Sequence, residues 1–102
     1  MTAEEKTYSM LSLAMKAGAL KCGNFSCTEA VKKGKAYLVI LSADMAEGSA
    51  EKLISQCRSA GVPVVRFGTK EGLARAIGKE YTSCIAITDA SFSDGIRGKI
   101  QG

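Results

Sequence analysis

Ala36-Tyr37-Leu38-Val39-Ile40-Leu41 is the segment that most narrows what this chain can become. It is a nearly unbroken apolar run, rich in β-branched residues and too short for a helix that must bury a face. It has the pattern of a strand covered on both sides. A strand of that kind needs helices above and below it, and the rest of the chain supplies them.

Ala3 to Ala17 has helical spacing, with Tyr8, Leu11, Ala14 and Met15 on one face, and Gly18 placed to end it. Ala19 to Cys22 is a short strand or a connecting turn. Ser26-Cys27-Thr28-Glu29 matches a capping box and predicts a second helix from there to Lys33, closed by Gly34. Asp44 to Glu47 offers a cap for a third, secure only from Ser49 to Ala60 because Gly48 delays it; Gly61 ends it. Val62 to Phe67 reads as a strand with Pro63 near its start. Thr69 caps a helix to Ile77, closed by Gly78. Ser83 to Thr88 is a further strand, and Ala90 to Ile100 a final helix. Strands alternating with helices predict one α/β domain over residues 1–102: a sandwich with helices on both faces of a largely parallel sheet.

The net charge of +4 is not spread evenly. Between Lys16 and Lys35 five lysines (16, 21, 32, 33 and 35) face a single acid, Glu29, so this window alone accounts for the excess. A concentrated positive patch suits a polyanion, because each neutralised phosphate releases counterions. No apolar run approaches the roughly 18–20 residues needed to cross a bilayer. The polar, acidic N-terminus lacks the basic start of a secretory signal, so the expected compartment is the cytoplasm. The four cysteines (22, 27, 57 and 84) contain no C-x-x-C pair, and the chain has no histidine. That spacing argues for reduced structural thiols and against a metal site.

Catalytic signals are thin, since the commonest general base is missing. Gly72 to Lys79 resembles a phosphate loop, but it has five residues between its glycines and Glu80 where a hydroxyl should hold magnesium. It also lies within and after a helix. Asp44 and Asp89 follow strands, where functional groups of parallel sheets often sit, but both read better as helix caps. The remaining candidates are two. One is the window from Lys21 to Lys35, a helix start suited to phosphate with Lys21 just before it and Lys32, Lys33 and Lys35 at the far end. The other is Lys79 with Tyr81, a cation and a ring able to stack on an unpaired base.

The stretch from Gly23 to Ile40 resembles the kink-turn-binding ribosomal protein family (L-seven-Ae and L-thirty-e), nearest in pattern to its bacterial YlxQ-type members. The similarity continues through Ser42-Ala43-Asp44, Gly61 to Val64, Gly68 to Glu80 and Ala86 to Asp89. The resemblance implies a three-layer α-β-α sandwich with a four-stranded mixed sheet, no catalysis and no cofactor. Its implied partner is a sharply bent, structured RNA, with ribosome association, bound by a monomer. The N-terminal end of the second helix would enter the RNA groove, and the loop before the last strand would pack on a bulged nucleotide. By position the resemblance carries over Gly23, Lys33 and the loop from Lys79 to Thr82. Together with the lysine window and the helix start, the expected RNA contacts are Lys21, Gly23, Asn24, Phe25, Ser26, Lys32, Lys33, Lys35, Lys79 and Tyr81, with no residue assigned to catalysis or metal. The chain departs from the archaeal pattern at Phe25-Ser26, where Asn-Glu is usual, and at Glu29, where a lysine is usual. An alternative reading is a protein–protein adaptor that keeps the fold without kink-turn specificity, anchored by Phe25.

Overall fold

The apolar run forms β2 (Leu38–Leu41), all four residues of which are buried. In the computed structural model, which describes residues 1–101, the other elements are α1 (Ala3–Lys16), β1 (Leu20–Cys22), α2 (Asn24–Lys32), α3 (Glu47–Ala60), β3 (Val64–Arg66), α4 (Lys70–Ile77), β4 (Cys84–Ile87) and α5 (Ala90–Gln101). The strands form one sheet in the order β1-β4-β2-β3.

The α/β sandwich and the mixed sheet are as expected, but the sheet is not largely parallel. Only β2 and β3 run parallel, with Val39 opposite Val64. β4 is antiparallel to both its neighbours, setting Ile87 opposite Leu38 on one side and Leu20 on the other. Alternation of strands with helices does not decide the end at which a strand re-enters the sheet. Here the Ser42 amide donates to the Ser83 carbonyl (2.8 Å) and the Tyr37 amide to that of Ile87 (2.8 Å). β4 therefore starts where β2 ends.

Strand alternation then divides the core. Leu38, Ile40, Ile85 and Ile87 point to the side covered by α1, α4 and α5, against Leu11, Leu73, Ile77 and Ile96. Val39, Leu41, Cys84 and Ala86 point to the side covered by α2 and α3, against Cys27, Ala30, Val31, Ala50, Leu53 and Cys57. Burying each large aliphatic contributes roughly 1.5–3 kcal/mol.

Two helix starts differ from expectation. The capping box at Ser26 and Glu29 does not form; α2 begins two residues earlier, at Asn24, with Gly23 as its N-cap and no side-chain cap. Gly23 holds φ at +90°, a conformation other residues rarely adopt, and its amide donates to the Cys84 carbonyl (3.1 Å). That tie to β4 turns the chain from β1 straight into the helix, so Ser26 falls inside the first turn. Asp44 does not cap α3, which starts at Glu47 behind Ala46. Its carboxylate instead accepts from the Lys70 amide (3.0 Å), and Thr69 caps the same helix through the Gly72 amide (2.9 Å). Asp89 is a cap as read, accepting from the Phe92 amide (2.9 Å). The phosphate-loop look-alike falls within and just beyond α4, as the sequence indicates.

Candidate nucleic-acid interface

The small-residue side of the sheet carries the candidate site. Cys27, Ala30 and Val31 seat α2 on the sheet, and the opposite face of the helix carries Lys32 and Lys33 into solvent. The N-terminal end of α2 is open, with Asn24 and Phe25 exposed; Phe25 is 79% exposed although it is among the largest apolar side chains in the protein. With no side-chain cap, the first amides of the helix lack the partner that a serine or aspartate would give them.

Three depressions meet at this end. One of about 280 Å³, on the β1 side of α2, is lined by Lys21, Phe25, Ser26, Glu29, Lys33 and Lys35. One of about 430 Å³, between α2 and α3, is lined by Asn24, Phe25, Thr28 and Lys32, with Lys52 and Gln56 opposite. The third, of about 330 Å³, joins Gly23 and Asn24 to Ser49, Lys70, Tyr81, Thr82 and Ser83. The fold thus brings Lys21, Gly23, Asn24, Phe25, Ser26 and Tyr81 to the start of α2, with Lys32, Lys33 and Lys35 at the far end of the depressions that run along its flanks.

Lys79 lies outside that group. It is exposed beyond the end of α4, its amide bonds the Ala74 carbonyl (2.9 Å), and it lines none of the three depressions. The cation beside the 67%-exposed Tyr81 ring is Lys70, with Nζ 5.7 Å from the ring centroid. Lys70, Lys52 and Ser49 escape a reading of the sequence, because charge counting along residues 36–102 shows near balance. The only local pointer to Lys70 is its place just after the Thr69 cap. Asp44 fixes it there; although partial desolvation opposes this, the Lys70 amide holds the Asp44 carboxyl below its usual range.

Glu29 pairs with Lys33 across one helical turn (3.8 Å), an exposed pair of small energetic weight that still lowers the positive potential on this flank. Under the site lie the thiols. Cys84 donates to the Asn24 side-chain oxygen (3.9 Å), and Cys27 to the Lys21 carbonyl (3.8 Å), so both steady the frame that presents the exposed residues. The Cys84 sulfur and burial push the Cys27 thiol up, and burial pushes Cys57 up to about 11, which leaves Cys27 and Cys57 protonated and unreactive at neutral pH. All four cysteines are unpaired, no metal-ligand cluster occurs among the described residues, and none of their helices is long and apolar enough to cross a membrane.

Residues 5–96 match the family described as ribosomal protein L7Ae/L30e/S12e/Gadd45. The chain is 29% identical over 87 residues to the RNA-binding protein YlxQ of Bacillus subtilis, covering 85% of this chain and 87% of that protein. Among solved structures, a Bacillus halodurans protein of unknown function superposes with a TM-score of 0.92 at 37% identity, over 95% of this chain and 98% of that one. A 15.5 kD RNA-binding protein of Giardia lamblia gives 0.79 at 27% identity, over 97% and 88%.

Proposed function

The chain belongs to the ribosomal protein L7Ae/L30e/S12e/Gadd45 family, and from that membership we propose that it is a non-catalytic RNA-binding protein whose contact surface is the N-terminal end of α2 and the loop before β4. The observation that supports this most is the open start of α2, with lysines on both flanks and the Tyr81 loop across a shared depression. Free helix amides and lysines suit phosphates, and Tyr81 with Lys70 suits a base outside the stack. Two contact regions separated by a hollow fit a bent internal loop that offers a groove and an extruded nucleotide together, so the expected ligand is a kink-turn-like RNA, of ribosomal or similarly structured kind. We take the protein to act as a monomer in the cytoplasm, where such RNA is found.

A gel-shift comparison of a kink-turn RNA with an unbent duplex tests this reading. At about 50 mM salt the bent RNA is expected to bind more tightly, with affinity falling steeply as salt rises. Lys33→Glu should weaken binding and reduce the salt slope by about one or more, whereas Glu29→Gln should strengthen it by releasing Lys33. Equal binding to both RNAs would remove kink-turn specificity, and binding to neither would remove RNA recognition altogether.

A further inference from the structure

We propose that Phe25 is a stacking platform for an unpaired base, so that the RNA recognised here must present an extruded nucleotide at the start of α2. This inference rests on the RNA-binding reading and specifies the ligand of that site. The ring is 79% exposed and borders two depressions at once, of about 280 and 430 Å³. Leaving a side chain of this size in water forgoes the gain of burying it, while its neighbours are held in place by packing and by the Cys84–Asn24 contact.

The ring's surroundings identify the partner. Around an anchor for a protein surface, further apolar groups would exclude water. Phe25 is instead bordered by Lys21, Lys33 and Lys35 on one side and by Lys32 and Lys52 on the other, with Asn24, Ser26 and Thr28 between. The one acid, Glu29, is paired with Lys33, and the apolar neighbours Ala30 and Leu53 are buried beneath the surface. A flat apolar centre inside a cationic collar matches a polyanion that carries flat bases. A paired base shows only its edge to the groove, so a face that can meet the ring exists only where a base has left the stack.

The test uses the full chain and an internal-loop RNA carrying a fluorescent adenine analogue at its unpaired position. Wild-type protein is expected to change the analogue's emission on binding. Phe25→Leu, which keeps apolar bulk without a ring, should abolish that change and weaken binding roughly tenfold or more, whereas Phe25→Tyr should preserve both. Because the ring is exposed, the variants should keep the wild-type melting temperature. Phe25→Leu binding this RNA as tightly as wild type overturns the proposal while leaving RNA binding intact. A salt-tolerant protein complex lost with Phe25→Leu, with RNA affinity unchanged, also overturns it in favour of an adaptor. Absence of RNA binding by wild type at low salt overturns both readings.

Discussion

The two sides of the sheet are built from different stock. Beneath α1, α4 and α5 the core is made largely of leucine and isoleucine, with Tyr8 and Phe67 packed at its edge, ring centroids 5.0 Å apart. Beneath α2 and α3 many contact residues are alanine or cysteine. Large side chains on the first side bury the most apolar surface and therefore contribute most of the stability. Small ones on the second let α2 lie close to the sheet, with its start tied to β4 through Gly23 and Cys84. The candidate interface lies mainly on this lighter side and at its loops, with Lys70 at the start of α4 reaching it from the other, so stability and recognition are supported largely by opposite faces.

The largest effect that tests this division comes from Leu73→Ala. Leu73 is fully buried on the heavy side, and its truncation should cost about 2–5 kcal/mol in a denaturant titration. RNA affinity, measured where the variant remains folded, should stay within about twofold, on the order of 0.4 kcal/mol. A parallel loss of affinity would show that the two sides are not separable. A smaller but broader effect is expected from Ala86→Val, beneath α2. Overpacking should cost about 1–3 kcal/mol, and because it lifts the helix it should also weaken RNA binding. Stability lost with affinity intact would break the link between the small-residue core and the site.

The smallest effect concerns Asp44, which joins the end of β2 to the start of α4. Its carboxyl is held below the ordinary value of 3.8, so its contribution is present at neutral pH and is lost as the pH falls past 3.8 toward the lowered value. Melting temperatures of wild type and Asp44→Asn should therefore differ at neutral pH and converge in acid. A constant gap across that range would mean that the charge is not what holds Lys70.

Much of this architecture is legible without coordinates. β2 announces itself as doubly buried, and four helix ends fall at glycines that adopt positive φ, namely Gly18, Gly34, Gly61 and Gly78. The lysine excess between Lys16 and Lys35 locates the basic surface. Other features mislead when read locally. Ser26 and Glu29 have capping-box spacing, yet the tie from Gly23 to β4 starts α2 sooner. Lys79 stands two residues from Tyr81, yet Lys70 is the cation at its ring.

The residue pattern by itself determined which segments become strands or helices, which of their faces are apolar, and where positive charge accumulates. Periodicity, turn chemistry and charge are properties of neighbours along the chain. The direction of β4, the true start of α2 and the company kept by Phe25 and Tyr81 were decided only by the tertiary structure. Each depends on hydrogen bonds and packing between segments tens of residues apart, and the spacing of residues along one segment holds no record of those contacts.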